Sequence, residues 1–302
     1  LIADMDNHLV VAINPNASFG KRSGAGFLAT ELLEEAGFEV TPLMGRNYDE
    51  LDKFVRGAIR PDTKALIVVG GDGMVHLGAQ ICREIGVALG VIPSGTGNDF
   101  ARHLGLPLGS TEEAVAHLVQ ALDSEPRALD LGVSTNPDGF IRGFACVFSG
   151  GFDAIVNERA NRLRFPKGRH RYTLALLIEL AKLRPLSYTL TIDGVEETGK
   201  YLLVAVANTQ SFGGGMKVTP DASITDGLLD VFTLSPLSRL AFLRIYPRVF
   251  SGTHVSDPRV SIRRATTVTL DSPGVVAYAD GERLAALPLS VGVEPGKLRV
   301  FA

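Results

Sequence analysis

Val69-Gly70-Gly71-Asp72-Gly73 is the stretch of this sequence that decides its fold, and Pro93-Ser94-Gly95-Thr96-Gly97-Asn98-Asp99-Phe100 repeats its pattern. Each stretch follows a short apolar run, residues 65–69 and 87–92, and precedes a segment that can begin a helix. Strand, glycine-rich turn and helix form an anion site in α/β proteins, because glycine lets the backbone approach a ligand and the first helical N–H groups point at it. Two such turns predict a nucleotide phosphate site between them.

The two stretches also carry acidic residues, Asp72 and Asp99, which on their own would repel phosphate. A divalent cation removes that conflict, because Mg²⁺ takes carboxylates and phosphate oxygens as ligands and keeps several waters. We therefore interpret the two loops as one ATP–Mg²⁺ site. The alternative interpretation is a pair of tight strand-to-helix turns whose Asp residues serve only as helix caps.

Composition limits the classes of protein that fit. The chain has 302 residues, 45% of them hydrophobic and 21% charged, which is ordinary for a soluble globular protein. The formal net charge of −3 excludes a globally basic nucleic-acid binder. Cys82 and Cys146 stand in apolar contexts and are expected to be reduced thiols. The first residues lack the cationic start of a signal peptide, and no run approaches the ~20 apolar residues of a membrane span, so we expect a cytoplasmic protein.

The pattern of secondary structure changes near residue 128. Before it, strands alternate with helices, the last of which is an amphipathic helix expected at 111–122. This alternation predicts a parallel sheet with helices on both faces. After it strands dominate, among them 140–148, 187–193 and 200–208, joined by hairpin-like turns at Asp193-Gly194 and Asp280-Gly281. Helical insertions are expected at about 152–183 and 237–250. We predict an α/β domain of residues 1–135, to which about 292–302 return, and an antiparallel β-rich domain of residues 136–291.

Further motifs lie along the chain in a recognisable order. They are Asn14-Pro15 with Gly20-Lys21, Gly70 to Gly73, Gly95 to Ala101, Asp130-Leu131-Gly132, Gly150-Gly151-Phe152, Asp226 to Asp230, and Asp280-Gly281-Glu282. On these motifs the chain resembles the catalytic domain of diacylglycerol kinases, in particular bacterial lipid kinases related to sphingosine and ceramide kinases. The first glycine block is shared with NAD kinases and phosphofructokinases. The resemblance implies a nucleotide domain of that kind followed by a β-sandwich domain.

The expected nucleotide contacts come from the glycine loops and from strand ends. Backbone N–H groups of both loops would surround the triphosphate, and the Thr96 hydroxyl would add a contact. The predicted set is Asn14, Lys21, Thr41, Gly70, Gly71, Asp72, Gly73, Gly95, Thr96 and Asn98. Thr41 is included because residues 41–45 match a Thr-x-x-x-Gly element that contacts the nucleotide in similar kinases. Alternatively Asn14 closes a turn before Pro15, Thr41 merely ends a strand, and Lys21 is a solvated surface lysine.

The resemblance also implies two metal sites. Asp72, Asp99 and Asp130 match acids that in similar bacterial enzymes form a water-mediated network to Mg²⁺. Asp226, with backbone carbonyls of Ser223 and Leu228, looks like a second, structural metal site. An ordinary Asp-Gly turn before a strand is the alternative for the second site.

Transfer of a phosphoryl group to a hydroxyl requires a base. Asp280-Gly281-Glu282 presents two carboxylates on one tight turn, where a cation or burial could adjust their acidity. The resemblance places the catalytic base in this motif, at Glu282 by alignment, with Asp280 close behind. The alternative is an Asp-Gly hairpin with a solvated Glu.

Partners are suggested by charge and by strand edges. The segment Arg159–Arg171 holds six cations directly before the apolar run 172–178, and such a composition attracts anionic lipid surfaces. We therefore expect peripheral contact with the inner membrane surface during turnover. The alternative is a solvated basic face beside a packed helix. Long edge strands would also permit a homodimer.

These observations favour an ATP- and Mg²⁺-dependent lipid kinase that phosphorylates a lipid hydroxyl, first of all converting diacylglycerol to phosphatidic acid. Sphingoid bases, ceramide and phosphatidylglycerol stay open as acceptors. Met74 and Leu77 stand where similar kinases carry Thr and Glu. They motivate the alternative of a catalytically silent nucleotide- or lipid-binding regulator. NAD kinase is a further alternative, disfavoured by the Gly95–Phe100 block.

Overall fold

The computed structural model describes residues 7–14, 24–151 and 184–302, together with residues 156, 159, 163, 174–175 and 178–179. The chain divides into two compact units. Unit 1 is Leu1–Asp130 with Gly296–Ala302, and unit 2 is Leu131–Pro295. The predicted site residue Lys21, most of the basic segment Arg159–Arg171 and most of the predicted insertion 152–183 lie outside the described residues.

Unit 1 alternates strands and helices. Its elements are β1 (His8–Ile13), α1 (Ala25–Glu35), β2 (Glu39–Met44), α2 (Tyr48–Ala58), β3 (Thr63–Gly70), α3 (Asp72–Ile85), β4 (Ala88–Pro93), α4 (Asp99–His103) and α5 (Thr111–Leu122). The strands are parallel, in the order β2-β1-β3-β4. Pro42 is tolerated in β2 because that strand is an edge strand. Asn47 and Ser110 cap α2 and α5 with their side chains.

The core of unit 1 follows from the two-residue period of its strands. Alternate strand residues such as Val11 and Ile67 pack with apolar side chains of α1 and α5, including Leu33 and Leu118. The opposite side of the sheet meets α3 at Gly78, where an added Cβ would lie 2.8 Å from a Val68 methyl carbon. Apolar burial on both sides explains why the strands are continuous hydrophobic runs.

Unit 2 consists mainly of strands joined by antiparallel pairings. They are β5 (Arg127–Thr135), β6 (Ile141–Phe144), β7 (Val147–Ser149), β8 (Leu186–Ile192), β9 (Val195–Tyr201), β10 (Leu203–Ala207), β11 (Leu229–Leu234), β12 (Val260–Ala265), β13 (Thr267–Asp271), β14 (Val276–Ala279), β15 (Glu282–Ala286) and β16 (Leu289–Phe301). One helix, α6 (Arg239–Val249), and a 3₁₀ turn (Thr253–Ser256) follow β11.

Two sheets enclose the core of unit 2. One has the order β12-β11-β10-β7-β14-β15, and the other contains β16-β13-β8-β9. Side chains from both, such as Val206 and Leu270, belong to one buried cluster. The strands β5 and β16 each start in one unit and end in the other.

The predicted fold class, a parallel α/β domain followed by an antiparallel β-rich domain, is confirmed. Two details differ. Residues 195–201, expected to be a turn and the beginning of a later strand, form the separate strand β9, and the single strand expected at 140–148 is divided into β6 and β7. Among the described residues, no helix is both long enough and apolar enough to cross a bilayer.

Candidate functional site

Parallel register brings the two glycine stretches together. Gly70 at the end of β3 lies opposite Pro93 at the end of β4, so both loops leave the sheet at the same edge. The Ser94 backbone N–H donates a hydrogen bond to the Gly70 carbonyl oxygen at 2.9 Å. Asn14, which follows β1, donates its backbone N–H to the Val69 carbonyl at 3.1 Å. Three strand ends of unit 1 therefore meet at one place.

Backbone touches backbone where the loops meet. A Cβ atom added to Gly95 would lie 2.4 Å from the Cα of Gly71, and one added to Gly71 would lie 3.1 Å from the Cα of Gly95. The first distance is impossible for real atoms, so Gly95 is required by its neighbour. Helix α3 begins directly after Gly71, and helix geometry leaves its first N–H groups without intrahelical acceptors. Glycine and helix start together form the cradle that a phosphate requires.

Asn98 fixes the shape of the second loop. Its side-chain oxygen accepts the Gly95 N–H and its side-chain nitrogen donates to the Gly95 carbonyl, both at 3.0 Å. Asn98 is buried and has a positive φ of 53°, a conformation that asparagine adopts more readily than most residues. Thr96, by contrast, lies exposed at the loop's tip. The side-chain amide of Asn98 thus shapes the loop, whereas Thr96 is exposed to solvent and accessible to a ligand.

Asp72 acts as a bridge between α3 and α4. Its carboxylate accepts the backbone N–H of Asp99 at 2.7 Å and that of Phe100 at 3.4 Å. Asp130 accepts the Gly296 N–H at 2.8 Å. Within the described parts of the chain, no three His, Cys, Asp or Glu side chains are placed to hold a metal ion. Asp72, Asp99 and Asp130 therefore do not form a direct three-carboxylate site.

Met74 does not take the place of a phosphate-binding hydroxyl. The side chain is fully buried, and a Cβ added to Gly70 would lie 2.4 Å from its Cγ. Met74 therefore packs beneath Gly70, in the volume that the missing Gly70 side chain leaves open. Leu77, the other departure from similar kinases, is half-buried one turn later in α3.

The structure does not bring Thr41 to the glycine loops. Its hydroxyl is 2.9 Å from Nε2 of His8, whose Nδ1 is 2.8 Å from the Thr63 hydroxyl. His8 and Thr63 are the first residues of β1 and β3, whereas the loops follow the last residues of those strands. Burial, followed by the nearby Arg60 guanidinium, lowers the pKa of His8. Thr41 thus belongs to a partly buried polar cluster around His8.

In unit 2 the two carboxylates of the Asp280-Gly281-Glu282 turn have different surroundings. The Asp280 carboxylate accepts the backbone N–H groups of Ala145 and Cys146 at 2.8 Å and of Val147 at 3.2 Å. Asp280 also has a positive φ of 51°. Glu282 is exposed at the start of β15. Asp280 thus anchors the turn to β7, while Glu282 is available to a substrate.

In the segment predicted as a second metal site, Asp226 lies near a cationic side chain of the chain itself, Arg264. Asp226 accepts the Leu228 N–H at 3.1 Å, and its other carboxylate oxygen lies 3.6 Å from Nη1 of Arg264. The same guanidinium lies 3.9 Å from Asp230. Burial raises the pKa of Asp230, against the opposing effect of Arg264. Ser223 bonds instead with Thr225, at 3.3 Å between the hydroxyl oxygens.

An apolar cavity of about 70 Å³ lies within unit 2. Its lining comes from β10, β11 and α6, and consists mostly of Leu, Val, Phe and Met side chains. His254 is the basic residue in this lining. It is fully buried, its Nε2 donates to the Val218 carbonyl at 3.1 Å, and burial lowers its pKa. The cavity is small beside typical ligand pockets of ~300 Å³ or more, so an entering chain would have to displace part of the lining.

Sequence reasoning missed Arg264 and the structural role of Asn98. Arg264 lies directly opposite Asp230 in the register of β12 and β11. The opposite charges of Arg264 and Asp230 could have indicated this contact, but only once the register of the two strands is known. Asn98 was expected to bind nucleotide, and nothing in the sequence separates that role from a loop-shaping one.

Comparisons with known proteins agree with this architecture. Residues 8–133 match the family model of the diacylglycerol kinase catalytic domain, and residues 146–302 match that of the YegS C-terminal NAD kinase beta sandwich-like domain. The chain is 39% identical to a diacylglycerol kinase of Mycobacterium tuberculosis strain H37Rv, over 95% of this chain and 93% of the relative. A diacylglycerol kinase of Bacillus subtilis is 28% identical over 84% of this chain and 83% of the relative.

The fold is also found among solved structures. The crystal structure of a diacylglycerol kinase from Bacillus anthracis superposes with a TM-score of 0.69 and covers 98% of this chain and 96% of that chain. The sequence identity is 18%, so the likeness concerns the fold.

Proposed function

The chain belongs to the diacylglycerol kinase and YegS-like lipid kinase family, and on that premise we propose that it transfers the γ-phosphoryl group of ATP to a lipid hydroxyl. Diacylglycerol is the proposed acceptor and phosphatidic acid the product. Relatives named diacylglycerol kinase support this acceptor, one of them over 95% of this chain. Unit 1 would bind the nucleotide, and unit 2 would supply the base and the lipid-binding surface.

The observation that carries the proposal is the backbone contact between Gly71 and Gly95. It holds two helix-preceding loops side by side and excludes side chains from the space between them. Phosphoryl transfer depends mainly on positioning and charge stabilisation, and backbone N–H groups fixed in this way supply both without reorganisation. The cradle fits the phosphate groups of a nucleotide.

Mg²⁺ would arrive as part of the substrate, bound to the phosphate oxygens of ATP. The described residues provide no direct three-ligand cluster, and one oxygen of Asp72 is already engaged by the N-terminus of α4. This arrangement suits a metal that keeps most of its waters and touches the protein through few groups. Bound in this way, the ion would neutralise phosphate charge.

Glu282 is the proposed base. A base needs a lone pair directed at the acceptor hydroxyl, and the exposed Glu282 carboxylate can provide one. The Asp280 carboxylate instead accepts three backbone N–H groups, which makes it a positioning residue for the turn that carries Glu282.

The apolar cavity of unit 2 supports a lipid acceptor. A cavity lined by aliphatic and aromatic side chains favours a hydrocarbon chain over a soluble dinucleotide. The proposal also includes contact of the basic segment Arg159–Arg171 with the membrane that contains the lipid. The cavity thus favours a lipid over NAD as the molecule phosphorylated.

The proposal is tested by following labelled γ-phosphate from Mg-ATP into diacylglycerol in mixed micelles. Label in phosphatidic acid is the expected result. Glu282→Gln should reduce transfer by at least about a hundredfold, the usual contribution of a general base, without changing the unfolding temperature. Asp280→Asn should also lower the unfolding temperature, because its amide nitrogen would replace one of the two carboxylate oxygens and leave at least one of the three backbone N–H groups without an acceptor.

Other outcomes would redirect the assignment. Label on a sphingoid base, ceramide or phosphatidylglycerol alone would retain the mechanism and change the acceptor. Label on NAD would replace the lipid kinase by an NAD kinase. Binding of ATP without label on any acceptor would support a silent regulator. Full activity in the Glu282→Gln variant would remove Glu282 as the base.

A further inference from the structure

Helix α6 has apolar side chains on two opposite sides. On the inner side, Phe242 and Ile245 are buried and line the apolar cavity. On the outer side, Leu240 and Leu243 are 59% and 50% exposed, and Phe250, directly after the helix, is 47% exposed. A surface helix ordinarily presents polar side chains to water, so a second apolar stripe indicates an interaction surface.

Arginines flank this outer stripe. At 100° per residue, Arg239 and Arg244 fall on either side of Leu240 and Leu243. Residues 235–256 contain no Asp or Glu, although the whole chain has a net charge of −3. Arg248 contacts the Thr253 carbonyl and the Ser256 hydroxyl, so it stabilises the following turn. The outer face is thus apolar along its middle and cationic along its sides.

We propose that the outer face of α6 docks on an anionic bilayer. Leu240, Leu243 and Phe250 enter the boundary of the acyl region, and the guanidinium groups of Arg239 and Arg244 remain among the headgroups. This is how amphipathic interfacial helices combine apolar burial with attraction to anionic lipid. Long arginine side chains suit the role because their stems cover apolar surface while their charges stay in water.

The choice of a bilayer rather than a protein partner rests on the proposed function. The acceptor is a membrane lipid, and the inner side of the same helix lines the cavity proposed for its chain. Docking of the outer side brings that lining to the place where the lipid resides. A partner protein would satisfy the apolar stripe but would not explain this continuity.

Vesicle sedimentation without nucleotide tests the docking surface directly. The full chain should bind vesicles that contain phosphatidylglycerol, less so at high salt or with phosphatidylcholine alone. Leu240→Gln with Leu243→Gln should weaken binding about tenfold, and Arg239→Gln with Arg244→Gln should remove most of its salt dependence. Phe54→Gln is the matched control, because Phe54 is 46% exposed on helix α2 of unit 1 and its change should leave binding unaltered.

The experiment separates this inference from the proposed function. A chain that binds vesicles through α6 but phosphorylates no lipid retains the docking surface and loses the kinase assignment. Equal vesicle binding by the parent chain and the folded leucine variant would overturn the docking surface. A dimer in solution that becomes monomeric in the leucine variant would also overturn it, because α6 would then contact a second copy.

Discussion

At Gly95 a single methyl group should decide whether the nucleotide loops can form. Gly95→Ala places a Cβ 2.4 Å from the Cα of Gly71, which the backbone can relieve only by moving the two loops apart. We expect nucleotide affinity to fall at least about tenfold, since positions fixed to a fraction of an ångström carry this kind of site. Calorimetric titration with a non-hydrolysable ATP analogue measures the loss.

Gly57→Ala provides the matched control for that substitution. Nothing lies within 4 Å of a Cβ added to Gly57, which is exposed in helix α2. Its change should leave nucleotide affinity unaltered and stabilise the chain by up to about 1 kcal/mol through helix propensity. Unchanged affinity in Gly95→Ala would show that the contact between the loops is not part of the phosphate site.

His8 should make the stability of unit 1 depend on pH. Its folded-state pKa lies below the ordinary value of 6.5, mainly because burial disfavours the imidazolium. The stability linked to His8 is therefore present above that value and is lost as pH falls toward the folded-state pKa, because the unfolded chain binds the proton more readily. His8→Gln should be about 1 kcal/mol less stable at neutral pH, from weakened bonds to Thr41 and Thr63.

The measurement compares unfolding in denaturant for parent and variant between about pH 7.5 and pH 5.5. Their difference in unfolding free energy should shrink as pH falls. Both chains contain His103 and His254, whose pKa values burial also lowers, so the difference isolates His8. A constant difference across that range would show that His8 does not resist protonation.

At the scale of elements, we expect the Arg264 guanidinium on β12 to supply the positive charge that a metal ion would otherwise supply to two carboxylates, Asp226 before β11 and Asp230 within it. It approaches Asp226 and Asp230 at 3.6 and 3.9 Å. Arg264→Ala should cost about 1 kcal/mol, a modest value because half of the guanidinium side chain is exposed. Without the cation the pKa of Asp230 should rise further, so the variant should be relatively less stable at neutral than at acidic pH.

Metal addition sharpens this test. Mg²⁺ or Ca²⁺ should raise the unfolding temperature of Arg264→Ala and leave that of the parent chain unchanged. Arg264→Lys keeps a positive charge and should respond as the parent does. If the divalent ions stabilise the parent chain itself, the segment of Ser223, Asp226 and Leu228 binds metal despite Arg264.

Helices and strands were predictable from sequence where the spacing of apolar residues agrees with the capping or turn residues at both ends. Helix α5 was expected at 111–122 and is found there, because Ser110 caps it and its apolar side repeats at helical spacing. Strand β9 escaped prediction, since Val195–Tyr201 contains two Glu, a Gly and a Lys. It is held by pairing with β8 across the Asp193-Gly194 turn, which local propensity does not report.

The site was predictable to the level of loops but not of individual atoms. Glycine spacing indicates where a phosphate could be bound, because few other reasons require two such turns in one sheet. It does not reveal that Asp72 caps α4, that Met74 fills the space beneath Gly70, or that Asp280 accepts three amides. These roles depend on contacts between residues distant in the chain, which no local pattern specifies.

At the scale of the molecule, the last residues of β16 complete unit 1. Val300 and Phe301 pair with Leu89 and Gly90 of β4, and the Gly296 N–H binds Asp130. Leu298, Val300 and Phe301 are buried. At ~1.5–3 kcal/mol for each buried apolar side chain, their removal costs about as much as the whole stability of a domain. A chain that ends at Pro295 should therefore lose the folded state of unit 1 and its nucleotide affinity.

Unit 2 should survive that truncation, because its core cluster contains residues no later than Val293. Hydrogen exchange followed by mass spectrometry would show protection retained in β10 and β11 and lost in β1 and β3. A chain that lacks only Ala302 serves as the control and should bind nucleotide as the parent does. If protection in β1 and β3 persisted without residues 296–302, unit 1 would be stable with β4 as an edge strand. The last residues of β16 would then connect the two units without stabilising unit 1.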